Sequence, residues 1–216
     1  MSPRSRTLVS PGDAASRVAS KAGPEFDGLL LAGGRSRRFG EDKRRVVFEG
    51  EPLSARAMRK LAQVVGTGTI FVATGAVRER LPGTAGAVIV ADEPPGKGPL
   101  GGIVAALARS RVGVLVLACD VPRVRAATLT RVAAVGARLD RPAAVCTSRG
   151  WEPLVAYYPS RVFNHVRAAI SGGMLAPHVL LDRLDAIPVR VADRSELANI
   201  NRPGDLAALQ AAPTRR

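Results

Sequence analysis

The sequence VGVLVLACD, residues 112–120, joins the most hydrophobic strand-like run of the chain to an aspartate, Asp120, at its carboxyl end. A strand that is apolar at nearly every position is typical of a sheet covered on both faces. Other short apolar runs alternate with amphipathic stretches before and after this segment. We therefore expect an α/β fold: a single Rossmann-like three-layer domain with a mostly parallel central sheet, as in nucleotidyltransferases.

The alternation predicts an ordered series of elements. Strands are expected at residues 28–31, 69–74, 87–91, 112–119, 143–146, 153–158 and 187–191, and helices at 54–64, 100–108, 126–137, 161–170, 177–184 and 203–210. The rhythm changes after Gly150, because no helix precedes the strand at 153–158. The prediction is one domain over residues 26–212 with a modified C-terminal third and no internal repeat.

The composition favours a globular intracellular protein. Hydrophobic residues make up 46% of the 216 positions, which is enough to form a core, and two cysteines do not make a disulfide framework. Residues 1–25 are rich in Ser, Pro, Gly, Ala and Arg and lack the apolar segment of a signal peptide, so we interpret them as a disordered basic arm. No apolar run reaches the roughly 18 residues of a membrane span. The expected location is the cytoplasm.

The charge balance points to an anionic partner. Lys and Arg number 32 against 18 Asp and Glu, a formal net charge of +14. Such a surplus suggests nucleic acid, nucleotides or an acidic surface. Only five Phe, two Tyr and one Trp are present, which is few for stacking on single-stranded bases. A nucleic-acid binder stays open at this point.

A glycine-rich segment, LAGGRSRRFGEDK, follows the first expected strand at residues 31–43. Gly33, Gly34 and Gly40 let the backbone bend and approach a phosphate or a base. The pattern is neither G-x-G-x-x-G nor the Walker motif. Clustered cations nevertheless favour a phosphate site over a solvated surface loop. They are Arg35, Arg37, Arg38 and Lys43.

Two aspartates and a second glycine cluster occupy comparable positions. Asp120 ends the most hydrophobic strand, where one carboxylate with substrate phosphates can bind Mg²⁺; the alternative is a cap for the helix at 126–137. Asp92 follows the strand at 87–91, and its alternative is a turn residue. Residues 96–102, GKGPLGG, allow close backbone approach to a ligand, or form a flexible connector.

The chain closely resembles molybdenum cofactor guanylyltransferases, the MobA-type members of the nucleotidyltransferase family. The family signature LAGGxSxRxGxDK is in register at residues 31–43. The resemblance covers about residues 27–210, and its motifs follow the family's order. They continue with DEPPGKGPLGGI (92–103), VLACDVP (116–122), EPLVAYY (152–158) and NINRPGDL (199–206). Five motifs in sequence are far more specific than any one of them.

The resemblance implies transfer of GMP from GTP to a molybdopterin cofactor, with release of pyrophosphate and with Mg²⁺ as cofactor. The implied catalytic residues are Lys43, Asp120 and Arg38, with Asp120 also binding the metal. The implied nucleotide-binding residues are Leu31, Ala32, Gly33, Gly34, Lys43, Asp92, Gly98, Pro99, Leu100, Gly101 and Asp120. The implied acceptor-binding residues are Glu152, Pro153, Asn199 and Asn201. Asn201 has an alternative as a helix cap.

The sequence departs from the family pattern at a few places. Arg202 stands where Thr is common, and Arg44 and Arg45 stand where small apolar residues are common. His165 and His178 lie on expected helices without a metal-ligand partner, so we interpret them as ordinary surface or packing residues.

The expected partners are GTP and molybdopterin-type substrates, with transient contact to molybdenum cofactor enzymes or cofactor chaperones, and with neither membrane nor specific nucleic acid. Two alternatives remain: a related transferase that uses CTP or another phosphorylated acceptor, and a non-catalytic nucleotide-binding protein. The LAGG sequence at residues 31–34 favours guanylyl transfer, because many cytidylyl enzymes of this superfamily resemble LAAG instead.

Overall fold

The secondary structure alternates strands and helices over most of the chain. A computed structural model describes residues 26–33, 42–76 and 78–212. In chain order its elements are β1 (Asp27–Leu31), a 3-10 helix (Lys43–Arg45), β2 (Val47–Phe48), β3 (Glu51–Pro52), α1 (Leu53–Val65), β4 (Ile70–Ala73), β5 (Val88–Val90), α2 (Pro99–Leu107), β6 (Val114–Ala118), α3 (Ala126–Leu139), β7 (Ala143–Thr147), β8 (Gly150–Tyr158), a 3-10 helix (Ser160–Val162), α4 (Phe163–Ser171), α5 (Pro177–Arg183), β9 (Ile187–Val189), a 3-10 helix (Arg194–Leu197) and α6 (Pro203–Ala211). None of the helices in these described ranges is both long and apolar enough to cross a membrane.

The central sheet has seven strands in the order β5-β4-β1-β6-β8-β7-β9. All neighbouring pairs are parallel except those that involve β8, which is antiparallel to both β6 and β7. The predicted mostly parallel sheet is therefore confirmed. The strand expected at 153–158 begins earlier, at Gly150, because it forms a hairpin with β7. This local return explains why no helix precedes it.

Two hydrophobic cores cover the two faces of the sheet. In β6, Leu115 and Leu117 enter the core that contains α1 and α3, whereas Val114 and Val116 enter the core that contains α2, α4 and α5. Burial of each such side chain stabilises the fold by about 1.5–3 kcal/mol. The run VGVLVLAC is apolar throughout because successive side chains pack into opposite cores. With one core on each face of the sheet, the predicted three-layer architecture is confirmed.

A third, smaller cluster joins residues 46–53 to the C-terminal part of the described chain. Val46, Phe48 and Leu53, from the short β2–β3 hairpin and the start of α1, pack against Ile200 and Leu209. This packing brings the segment before α6 to the segment that follows the first glycine-rich loop. Residues that are far apart in sequence therefore meet beside the carboxyl ends of β1 and β6.

Lys60 is a largely buried lysine whose side chain links α1 to the segment after β6 by hydrogen bonds. Its Nζ donates hydrogen bonds to the carbonyl oxygens of Pro122 and Val124, both at 2.6 Å. Burial, with a smaller contribution from the nearby cations Arg56 and Arg59, lowers the pKa of Lys60 to about 8. Glu51 and Glu49 oppose the shift.

We expect Lys60→Met to reduce the free energy of unfolding at pH 7 by about 1–3 kcal/mol, because two carbonyl groups lose their donor. Between pH 8 and about 10.5 the unfolded wild-type chain holds more protons on Lys60 than the folded protein does. The stability of the wild type should therefore rise with pH, relative to the variant, in that window. Denaturant titrations at several pH values measure this difference.

The control is Gln63→Met, which places the same side chain on an exposed position of the same helix. Its stability should follow the wild-type pH profile. If the profiles of Lys60→Met and the wild type are parallel between pH 8 and 10.5, the lowered pKa of Lys60 is wrong.

Candidate active site

A crevice of about 220 Å³ opens at the carboxyl edge of the parallel strands. Binding sites of open α/β sheets occur at this edge. Leu31, Gly33, Lys43, Asp92, Gly98, Pro99, Ala118, Cys119, Asp120 and Leu154 line it. Seven of these ten are among the site residues that the resemblance implies; Ala118, Cys119 and Leu154 are not, although they lie in the motifs VLACDVP and EPLVAYY. Leu154 belongs to the EPLVAYY motif and follows two expected acceptor residues, so its neighbours in sequence were a usable signal.

Lys43 joins three of the sequence motifs in one place. Its Nζ lies 2.7 Å from Oδ2 of Asp120 and 3.0 Å from Oδ1 of Asn201. The backbone N–H of Ile200 also donates to the carbonyl oxygen of Asp120, at 2.9 Å. The side-chain amide of Asn201 is thus directed to Lys43 rather than to a helix terminus.

The capping alternatives for Asn201 and Asp120 are both wrong. At α6, the carboxylate of Asp205 accepts hydrogen bonds from the backbone N–H groups of Asn201 (2.8 Å) and Arg202 (2.9 Å). At α3, the buried carboxylate of Glu196 accepts from the backbone N–H of Arg125 (3.0 Å). Each helix has a carboxylate of its own, so the side chain of Asp120 is left for the crevice.

Asp92 forms the opposite wall of the crevice, after β5. Its backbone N–H donates to the carbonyl oxygen of Gly75 at 2.8 Å. Burial raises the pKa of the Asp92 carboxyl, opposed by a backbone hydrogen bond from Gly75. Asp92 lines the crevice and pairs with Gly75, and the turn of this segment begins only at Pro95.

The first turn of α2 lies directly against Asp92. A Cβ on Gly101 would stand 2.8 Å from the carbonyl oxygen of Pro94 and 3.1 Å from Cβ of Asp92. Gly98, at φ +61°, allows the chain to turn into the helix at Pro99. Leu100 and Ala32 are fully buried, so their side chains support the walls without reaching the crevice.

We expect Gly101→Ala to lower the free energy of unfolding by about 1–3 kcal/mol, because the new methyl group overlaps backbone that cannot yield easily. Gly204→Ala is the matched control, since the added Cβ in α6 meets nothing within 4 Å. The control should be neutral or slightly stabilising. Denaturant unfolding measures both, and equal stabilities of the two variants would contradict the close packing at Gly101.

Glu152 lies in the first half of β8. The register pairs Leu117 with Val155, so the residues before Val155 run past the end of β6 toward Asp120. Burial and, second, the negative charge of Asp120 raise the pKa of the Glu152 carboxyl. The Glu152 carboxyl therefore lies close enough to Asp120 to feel its charge, although Glu152 is not among the residues that line the crevice.

The other expected acceptor residues have different surroundings. The Pro153 carbonyl oxygen accepts a hydrogen bond from the Tyr158 hydroxyl at 3.2 Å. Asn199 is exposed, in the segment that leads to Asn201. The structure therefore places Asn201 in contact with the crevice through Lys43, and Asn199 on the surface beside it.

The donor set fits a magnesium ion shared with a substrate. Among the residues that the structure describes, no group of three or more His, Cys, Asp or Glu side chains could enclose a metal ion. Mg²⁺ is usually bound by one or two carboxylates plus substrate phosphates and water, and Asp120 is a carboxylate that lines the crevice. Burial raises the pKa of the Cys119 thiol to about 12, so this neighbour stays protonated.

Several expected residues lie elsewhere. Gly34 and Arg38, together with Arg35, Arg37 and Gly40, fall outside the described residues. His165 and His178 lie on α4 and α5. Glu79, in the segment after β4, forms ion pairs with Arg44 and Arg45 and was not anticipated, because nothing in its local sequence marks it.

Comparison with known proteins gives consistent results. Residues 28–186 match the family described as MobA-like NTP transferase domain. The chain is 35% identical to the molybdenum cofactor guanylyltransferase of Pseudomonas fluorescens (strain Pf0-1) over 81% of this chain and 88% of that protein. It is 37% identical to the Pseudomonas aeruginosa protein of the same name over 83% and 91%. A crystal structure of molybdopterin-guanine dinucleotide biosynthesis protein A from Archaeoglobus fulgidus superposes with a TM-score of 0.70 at 25% identity, over 86% of this chain and 97% of that one.

Proposed function

The chain belongs to the MobA-like NTP transferase family, and from this we propose that it transfers GMP from GTP to molybdopterin and releases pyrophosphate. The observation that carries the proposal is the contact of the Lys43 ammonium with both Asp120 and Asn201. One cation, one carboxylate and one amide thereby meet at the edge of a glycine-walled crevice. Such a set suits phosphoryl chemistry, and no Ser-His-Asp arrangement is needed for it.

The proposed reaction is an in-line displacement at the α-phosphorus of GTP. An oxygen of the terminal phosphate of molybdopterin forms the new bond to this phosphorus. The bond from phosphorus to the bridging oxygen of the β-phosphate breaks, and pyrophosphate leaves with that electron pair. A phosphate monoester is already ionised near neutral pH, because its second pKa is about 6, so a strong general base is not required.

The protein contributes position and charge. Lys43 is held by two hydrogen bonds before substrate arrives, so its ammonium needs little reorganisation to stabilise charge that develops on the phosphates. Asp120 and Glu152 would hold Mg²⁺ together with the triphosphate. When bound, the ion supplies further charge neutralisation to the reacting phosphates.

The rest of the crevice suits the nucleoside. Leu31, Pro99 and Leu154 provide apolar contacts. Gly33 and Gly98 bring backbone close to the opening without a side chain. A flat purine can enter such a slot, with its hydrogen-bonding edge against backbone groups.

The test is a turnover assay on the full chain with Mg²⁺, GTP and molybdenum-loaded molybdopterin, in which pyrophosphate release is measured. We expect release with GTP and much less with CTP. A preference for CTP would indicate a related cytidylyl enzyme. Binding of GTP in a thermal-shift experiment without any turnover would indicate a non-catalytic nucleotide-binding protein.

A further inference from the structure

Arg44 directly follows Lys43 and has an almost fully buried side chain. Its guanidinium makes a two-pronged contact with Asp42: Nε donates to Oδ1 and Nη2 donates to Oδ2, both at 2.7 Å. Only 11% of the Arg44 side chain is exposed, against 50% for Arg45. Charge-assisted, bidentate pairs of this kind are the strong ones in proteins.

The same guanidinium reaches two further segments. Nη2 donates to Oε2 of Glu79 at 2.7 Å, in the segment after β4. Nη1 lies 3.4 Å from the carbonyl oxygen of Ala32, at the end of β1 where the glycine-rich loop begins. Arg44 therefore connects both ends of that loop to each other and to a third segment.

The ionisation of the groups agrees with this geometry. The hydrogen bond from Arg44 lowers the pKa of Asp42. Arg45 and then Arg44 lower the pKa of Glu79. Both carboxylates are therefore charged at neutral pH, as the ion pairs require.

The turn that carries Lys43 has little support of its own. It is a 3-10 helix of three residues, Lys43–Arg45, held by backbone hydrogen bonds from Arg45 to Asp42 (2.9 Å) and from Val46 to Lys43 (3.2 Å). Its cap is the Asp42 carboxylate, the same group that Arg44 binds, which accepts from the backbone N–H of Arg44 at 3.1 Å. Short 3-10 turns have weaker hydrogen-bond geometry than α-helices. The direction of the Lys43 side chain consequently depends on what fixes this turn from outside.

We propose that Arg44 is a positioning residue: it clamps Asp42, Glu79 and the Ala32 carbonyl so that the Lys43 ammonium is directed to Asp120. The inference rests on the proposed function in that Lys43 acts on the triphosphate of GTP. It accounts for an arginine at a position where small apolar residues are common in the family. Arg44 itself does not touch the substrate.

The kinetic test compares Arg44→Leu with Arg45→Leu, the neighbouring arginine that pairs with the same Glu79 but is half exposed. We expect Arg44→Leu to lower kcat about tenfold to a hundredfold, since a displacement of about 1 Å at a reacting group costs that much. The KM for GTP should change less than kcat. Arg45→Leu should stay within about twofold of the wild type.

A double variant separates positioning from general damage to the fold. If Arg44 acts through Lys43, Arg44→Leu should cause no further loss in a Lys43→Met background. A merely structural role would lower turnover by the same factor in both backgrounds. Equal factors, or an Arg44→Leu enzyme within twofold of the wild type, would overturn the proposal. If Arg44→Leu does not fold, Glu79→Gln, which weakens one arm of the clamp, should lower kcat several-fold; an unchanged kcat would likewise overturn the proposal.

Hydrogen exchange on the ligand-free chain supplies a readout that needs no activity. The backbone amides at positions 45 and 46 should exchange at least about tenfold faster in Arg44→Leu than in Arg45→Leu, because the turn opens more often. Equal exchange would contradict the clamp. If the wild type fails to turn over GTP while the exchange difference is present, the proposed function is wrong and the clamp on the turn stands.

Discussion

Asp120→Ala should lower turnover by about a thousandfold or more while the protein stays folded, because the carboxylate that follows β6 and pairs with Lys43 would be gone. The carboxylate is 22% exposed and lies just after the strand, outside the hydrophobic cores. Its removal takes away the proposed oxygen ligand of Mg²⁺ and the partner of Lys43 at 2.7 Å. Pyrophosphate release measures the loss, and circular dichroism with thermal unfolding measures the fold.

Two further variants test whether the loss of activity is specific to the negative charge at position 120. Asp120→Asn keeps the shape and an acceptor for Lys43 but removes the charge, so it should lose nearly as much activity as Asp120→Ala. Asp185→Asn, at a carboxylate that is 90% exposed, should stay within about twofold of the wild type. An active Asp120→Ala enzyme would remove the proposed role of this residue.

Lys43→Met should lower kcat/KM for GTP by about a hundredfold to a thousandfold, because a pre-positioned cation at the phosphates is lost. Methionine keeps the length and apolar stem of the side chain, so the loss of activity measures the contribution of the ammonium group. The variant also leaves Asp120 without its ion-pair partner. Steady-state kinetics with varied GTP measure the change in kcat and KM, and calorimetric titration with GTP measures the change in binding affinity.

Lys43→Arg is the control for charge alone. Its planar guanidinium cannot replace the compact ammonium between Asp120 and Asn201, so we expect activity between those of Lys43→Met and the wild type. A Lys43→Met enzyme within tenfold of the wild type would show that the phosphates are neutralised elsewhere.

The fold could be predicted from the sequence because its strongest signals are local. The run VGVLVLAC is apolar at nearly every position, and the structure gives the reason in two cores that share one strand. The short β2–β3 hairpin was not predicted, since strands of two residues have no recognisable period. The early start of β8 was also missed, because Trp151 and Glu152 are only partly buried and interrupt the apolar pattern.

The candidate site was predictable in its parts but not in its contacts. Lys43 and Asp120 were singled out separately, and their ion pair follows from two strands that end at one edge of the sheet. The contact between Lys43 and Asn201 spans 158 positions in sequence, so no local pattern encodes it. The ion pair between Arg44 and Glu79 could not be predicted for the same reason. The sequence holds many oppositely charged residues, and only the folded backbone determines which of them are in contact.

The charge surplus has a different meaning once the structure is known. Within the described residues many arginines pair with carboxylates or donate to carbonyl oxygens, so they are not free for a polyanion. Pairs with carboxylates occur at Arg44, Arg45, Arg56, Arg59, Arg109, Arg123, Arg125, Arg141 and Arg161. Most exposed pairs contribute little to stability. These nine arginines therefore balance local charge and link segments of the fold.

The reversed direction of β8 has a consequence for redesign of the enzyme. Parallel strands present their last residues to the crevice, whereas β8 presents its first ones, on a hairpin that closes through its own hydrogen bonds to β7. Insertions in the turn at Ser148 and Arg149, between the paired residues Thr147 and Gly150, should therefore leave the paired residues 155–158 and every crossover helix in place. If the predicted acceptor residues Glu152 and Pro153 contact the acceptor, we expect changes to the β7–β8 hairpin to alter acceptor selectivity while the residues at the ends of β1 and β5 are kept.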